Sequence, residues 1–204
     1  LGMSNLLFQK MVGTVETVQG FPTIEIPLLS QIPIFGQIFF NQNLMVYIAF
    51  LLVPASWFVL NKTNLGLKIR SVGENPEAAD SLGVSVGAIR YFTIILGGIL
   101  SGVGGASLSI ALLNVFQQNM TAGLGFIAVA LVYFGAWRPW GVLAGALLFS
   151  MVNALQLWIQ VLGIPVVSEF AVMMPYILTI VVLVLTVSKV RSPSALTKPF
   201  EREG

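Results

Sequence analysis

Three amides recur on one side of an apolar run. Asn153, Gln156 and Gln160 stand at i, i+3 and i+7 within Gly141–Leu162, a spacing that puts them on one helical face. An amide in an apolar setting must find a hydrogen-bond partner, because leaving it unpaired costs a few kcal/mol. An amide both donates and accepts without fixing charge, which suits a neutral hydrogen-bonding solute. The same three groups would serve equally to bond one helix to another, and the sequence leaves both readings open. A second polar group is the loop Asn114–Thr121 with Gln117, Gln118 and Asn119, placed to meet a solute or simply to be solvated.

Much chemistry is excluded by what the chain lacks. With no Cys, thiolate catalysis, disulfides and Cys-based metal sites are out. With no His, the commonest general base and metal ligand is also missing. No Gly-x-x-x-x-Gly-Lys-Ser/Thr phosphate loop occurs, so no bound nucleotide, cofactor or metal is expected.

The most informative polar stretch runs from Gly66 to Gly83. Asn75 is a good N-cap, and Pro76 follows where a missing N–H costs nothing. Glu77 and Asp80 favour the positive end of the helix dipole, and Gly83 offers a stop. This predicts a well-capped helix of about two turns. It is either a plain connector or a rigid protrusion for a soluble partner, with Ala78 and Ala79 allowing close approach and Glu77 and Asp80 offering charge to Lys or Arg.

The elements that hold these residues are dictated by composition. Hydrophobic residues make up 56% of the 204 and charged residues only 9%; mean hydropathy is +0.91. A soluble domain carries about 25% charged residues to face water. Lipid must be the solvent for most of this surface, and the long continuous apolar runs specify helices rather than a barrel. The expected fold is an all-α, polytopic membrane bundle.

Four segments without a charged residue have the length to cross: Leu44–Leu60, Tyr91–Leu113, Gly141–Leu162 and Phe170–Ser188. A fifth, Gly123–Trp137, reaches only about 22 Å as a helix and is either a short span or a half-helix lining a cavity. If all five cross, Lys62, Lys68, Arg70, Arg90, Arg138, Lys189, Arg191, Lys198 and Arg202 lie on one side and only Lys10 on the other. Nine of ten cations on one side is the positive-inside pattern, so the slight basicity reflects topology and not nucleic-acid binding. The expected organisation is an extracytoplasmic segment 1–42, a membrane domain 43–190 containing the cytoplasmic loop 61–90, and a cytoplasmic tail 191–204. Within 1–42, an amphipathic helix over Leu6–Thr17 precedes an extended stretch against the membrane face. Trp57, Trp137, Trp140 and Tyr176 near span ends are expected at the interface.

Within Tyr91–Leu113, Gly97, Ser101 and Gly105 recur every four residues, with Gly98 and Gly102 beside them. Such small-residue stripes let helix backbones approach closely, so this helix is expected to pack on two neighbours.

The run Glu77-Ala78-Ala79 followed by Gly83 resembles the start of the EAA motif of ABC-importer permeases. It departs further on, with Thr93 and Ile94 where that motif has Ile and Leu-Pro. The longer string Gly66–Asp80, with Asn119–Gly123, Gly125–Ala128, Met174–Leu178 and Lys198–Gly204, resembles permeases of the branched-chain amino acid, ribose and simple-sugar group. Within it, the nucleoside-type members are most similar. The resemblance implies a multi-pass permease subunit of a bacterial plasma membrane that is not itself an enzyme. Glu74, Asn75, Pro76, Glu77, Ala78, Ala79, Asp80 and Gly83 would form the coupling element on a separate ATPase subunit. A second permease subunit, of sister type, and an external solute-binding lipoprotein would complete the assembly. Family members are about 300 residues long, so the chain, starting Leu1-Gly2-Met3, would match the C-terminal two-thirds of one. The competing class is a secondary carrier or channel, which normally wants charged residues in the membrane; these spans have none. A scaffold subunit with no pathway of its own is a third possibility.

Overall fold

The computed structural model describes residues 20–25, 40–113, 121, 123–162 and 192–200, with single positions 6, 10, 173, 174, 176, 177, 180, 181 and 184. Most of the helix expected over Leu6–Thr17, the loop residues Gln117–Asn119 and much of the span Phe170–Ser188 lie outside these residues. Among the described positions of that last span, Met173, Met174, Tyr176, Ile177, Ile180, Val181 and Val184 are helical. The chain divides into two units, Leu1–Leu52 with Tyr91–Ala122, and Val53–Arg90 with Gly123–Gly204.

Helix α1 (Leu44–Lys62) has 19 residues, α4 (Val86–Ser107) has 22 and α6 (Pro139–Val161) has 23. At about 1.5 Å per residue each matches a hydrocarbon core of about 30 Å. These three helices are long and apolar enough to cross a membrane, and almost none of their residues is buried within the chain. Side chains such as Leu51, Ile94 and Met151 face outward, as they must where lipid is the solvent. Two short helices, α2 (Asn64–Glu74) and α3 (Pro76–Ser81), lie between α1 and α4. The short apolar helix α5 (Leu124–Phe134) has 11 residues and rises only about 16 Å, half the hydrocarbon thickness.

In the first unit, β1 (Thr23–Glu25) pairs antiparallel with β2 (Asn41–Asn43), Ile24 opposite Gln42. The sequence suggested an extended stretch here but not its partner, because two three-residue strands separated by residues 26–40 lack the short hairpin turn that would mark them as a pair. The Tyr47 hydroxyl ties the pair to α1, donating to the Ile24 carbonyl at 3.2 Å and accepting from the Gln42 amide at 3.3 Å. Asn43 caps α1 through Oδ1, which accepts from the Val46 amide at 3.2 Å, and its Nδ2 donates to the Ala111 carbonyl at 2.9 Å. Ala111 belongs to the π-helical turn Leu108–Leu113 that continues α4. Along α4, a Cβ added at Gly97, Gly98, Gly102, Gly104 or Gly105 would meet nothing within 4 Å among the described residues. The two neighbours expected for this stripe are therefore not among them.

In the second unit, α5 and α6 form a hairpin whose corner is built on glycine. A Cβ on Gly141 would strike the Gly135 backbone, and one on Gly135 would strike the Val142 amide nitrogen. Further along, Gly145 is buried under the ring of Phe134 and the side chain of Leu131. Ala136 and Trp137 turn the corner with φ of 51° and 59°, unusual for residues with a Cβ. Trp137 stacks edge-on against Tyr133 at 5.3 Å, and its buried indole N–H has no acceptor among the described residues. It is half-buried in the corner. Trp57 and Trp140 are exposed.

Candidate functional site

The polar loop 61–90 folds as a compact cap, and each corner follows from local chemistry. At the first, the Thr63 hydroxyl donates to the Val59 carbonyl at the end of α1 and accepts from the Gly66 amide at 3.2 Å to begin α2. Gly66 lies against the backbone of Val59 and Leu60, where no side chain fits. The chain can therefore turn from α1 into α2 with almost no linker.

Asn75 forms the second corner alone. Its amide donates to the Ser71 carbonyl at 2.8 Å, closing α2, and its Oδ1 accepts from the Ala78 amide at 3.1 Å, opening α3. The cause is Pro76, whose ring excludes helical geometry at the preceding residue; Asn75 has φ −146° and ψ 92°. The capped helix anticipated between Asn75 and Gly83 is thus present as Pro76–Ser81. The preceding helix α2 was not anticipated, because Gly66, Gly73 and alternating charges weaken its periodicity.

The third corner is a Schellman motif. Gly83 adopts φ +81°, its amide donates to the Asp80 carbonyl at 2.8 Å, and the Val84 amide donates to the Ala79 carbonyl at 3.0 Å. Val84 also packs on the small core that joins the three elements, formed by Val72 of α2, Ala79 of α3 and Val86 of α4.

The placement of the expected coupling residues follows. Glu77, Ala78, Ser81, Leu82 and Gly83 are exposed on the outside of the cap, Leu82 strongly so at 84%. Ala79 is only 2% exposed and is used up in the chain's own core, so its small side chain serves internal packing and leaves no room for a partner. Asp80 and Pro76 are half-buried. Glu74 is exposed at the end of α2 but accepts a hydrogen bond at 3.0 Å from the Ser194 hydroxyl.

Ser194 belongs to a part of the site that sequence reasoning missed. Residues 192–200 return to the cap: the Ala195 amide donates to the Gly73 carbonyl at 3.1 Å, Arg90 Nη1 donates to the Lys198 carbonyl at 3.2 Å, and Phe200 packs on the Val72–Ala79–Val86 core. The signals available were the apolar Leu196 and Phe200 among polar residues and the family-like string that begins at Lys198.

The candidate solute-path amides separate. Gln156 is buried at 8% exposure, while Asn153 and Gln160 are exposed on α6. The i, i+3, i+7 stripe is therefore one internal amide between two outward ones. Asn119 lies outside the described residues.

Comparison with known proteins gives a consistent result. The family described as "Branched-chain amino acid transport system / permease component" matches residues 1–183. The putative glucose ABC transporter permease protein TsgC13 of Haloferax volcanii is 39% identical over 92% of this chain and 65% of its own length. The nucleoside ABC transporter permease protein NupC of Lactococcus lactis is 44% identical over 83% of this chain and 55% of its own. The guanosine ABC transporter permease protein NupQ of Bacillus subtilis is 35% identical over 98% of this chain and 65% of its own. The chain thus spans between 55% and 65% of the length of these relatives. No solved structure matches.

Proposed function

The chain belongs to the branched-chain amino acid transport system permease family, and from that membership we propose that it is the membrane-spanning part of an ATP-driven importer for a small polar solute. The solute class is a nucleoside or a simple sugar, since the similar proteins are named as nucleoside, guanosine and glucose permeases. The observation that carries the reading is α3. It is a six-residue helix capped at both ends, standing between two membrane helices with Glu77, Ala78 and Leu82 turned outward. A rigid knob with an acidic and an apolar side chain suits the groove of a soluble ATPase subunit. The spans contain no charged residue to couple transport to protons or ions, so the driving force must enter through such a contact.

In this reading, ATP-driven closure of the ATPase subunits presses on α3 and switches the bundle between outward and inward access. Asn153 and Gln160 face the solute or the second permease subunit, a sister chain, and Gln156 holds α6 against its own chain. A solute-binding protein delivers the cargo on the opposite side of a bacterial plasma membrane.

The contact of residues 192–200 with α2 and Arg90 also supports the five-crossing topology. Both must lie on one side of the bilayer, so the chain crosses an even number of times between Arg90 and Ser192. Tyr91–Leu113, Gly141–Leu162 and Phe170–Ser188 supply an odd number, and Gly123–Trp137 makes it even. Helix α5 supplies about half the length of that crossing.

The test is reconstitution of the full-length permease with its ATPase and binding protein in vesicles. Glu77→Arg with Ala78→Arg should leave the amount of inserted permease unchanged and abolish ATP-driven nucleoside or sugar uptake. Unchanged uptake would sink the assignment of α3. Ala79 is unsuitable for this purpose, because a larger side chain there breaks the core.

A further inference from the structure

We propose that residues 192–200 form a strap that makes α2, α3 and the first turns of α4 move as one body, with Phe200 and Arg90 as its positioning residues. The inference rests on the reading of α3 as the surface an ATPase presses.

Without the strap the cap has two joints. Asn75 alone connects α2 to α3, and Leu82–Ser85 connect α3 to α4. Helix α3 has six residues, too few to hold itself together, and its only buried side chain is Ala79. With only the Gly83 and Val84 turn bonds and the small Val72–Ala79–Val86 core across these joints, a push on its outer face would bend them before it moved α4.

The 192–200 segment spans both joints. It is bonded to the end of α2 at two points, Ala195 N to Gly73 O at 3.1 Å and Ser194 Oγ to Glu74 Oε1 at 3.0 Å. Phe200 then packs against the core cluster to which Val72 of α2, Ala79 of α3 and Val86 of α4 each contribute. Arg90, one turn into α4, reaches back with Nη1 to the Lys198 carbonyl at 3.2 Å, and its guanidinium carbon lies 6.0 Å from the Phe200 ring centre. The segment is itself folded, with turn bonds from Leu196 N to Pro193 O at 3.1 Å and from Lys198 N to Ala195 O at 3.2 Å. Thr197 has φ +64°, a strained position for a β-branched residue, held by anchors on both sides.

Two experiments on the full-length permease, assembled with its ATPase and binding protein, test this. The first uses Phe200→Ala and the conservative Phe200→Leu. Phe200→Ala should speed amide hydrogen exchange at Ala78–Asp80 and lower the solute moved per ATP hydrolysed several-fold, with assembly retained; Phe200→Leu should restore both. Unchanged exchange in Phe200→Ala overturns the strap. Faster exchange with unchanged solute per ATP overturns its coupling role. If Phe200→Ala lowers solute per ATP while Glu77→Arg with Ala78→Arg leaves uptake intact, the strap stands and the ATPase-contact reading of α3 falls.

The second experiment does not depend on a destabilising change. The chain has no Cys, and a Cβ on Gly73 would lie 3.8 Å from the Pro193 Cβ, the usual separation in a disulfide. Gly73→Cys with Pro193→Cys should cross-link under mild oxidation, and the locked transporter should keep its uptake, because a single body has nothing to open. Failure to cross-link, or uptake lost on oxidation and regained on reduction, overturns the proposal.

Discussion

The Val84 amide donates to the Ala79 carbonyl at 3.0 Å, and Val84 packs against the core cluster to which Ala79 belongs. Backbone and side chain thus close one motif, which stops α3 and sets its direction relative to α4. Gly83, between them, makes it possible by adopting φ +81° with open space around its Cα.

Gly83→Ala should therefore cost about 1–2 kcal/mol through backbone strain alone. Hydrogen exchange at Val84 should quicken by about tenfold or more, the factor that about 1.4 kcal/mol represents. Gly87→Ala, in a helix and also with open space, should be neutral or slightly stabilising.

Replacing Asn75 by Ala removes the acceptor for the Ala78 amide and should destabilise α3 by about 1 kcal/mol. Asp or Ser at this position should preserve most of the cap. Exchange at the Ala78 amide distinguishes the three variants; equal rates would mean that the cap contributes nothing.

The α5–α6 hairpin separates two kinds of glycine. At Gly141 the obstacle to a side chain is the Gly135 backbone, which cannot move aside, while at Gly145 it is the Phe134 ring and the Leu131 side chain. Gly141→Ala should lower the thermal unfolding midpoint in detergent more than Gly145→Ala does. Adding Phe134→Leu should recover part of the Gly145→Ala loss and none of the Gly141→Ala loss.

Burial also divides the amides of α6. Gln156→Leu should reduce the amount of folded permease, since Gln156 is buried within the chain. Asn153→Leu and Gln160→Leu should leave that amount unchanged and lower uptake per assembled complex. Uptake unaffected by both outward changes would remove these two residues from the solute path.

What the sequence determined by itself was the long apolar helices and those stops and caps that are set within a turn or two of chain. Hydropathy and the absence of charge marked α1, α4 and α6, because a spanning segment needs only length and apolarity. Asn75-Pro76 and Gly83 bounded α3 because capping, proline geometry and left-handed φ are local effects. The tertiary structure decided which way each residue of those elements faces. Ala78 and Ala79 are adjacent and identical, yet one is exposed and the other is core, since Val72 and Val86 converge only on the second. Glu74 meets Ser194 across 120 positions and Arg90 meets Lys198 across 108. No local rule reaches that far: such contacts depend on where the chain returns after its later crossings, and only packing fixes that. Gln156 differs from Asn153 and Gln160 for a similar reason, because helical spacing groups the three on one face but the neighbouring elements decide which of them is covered.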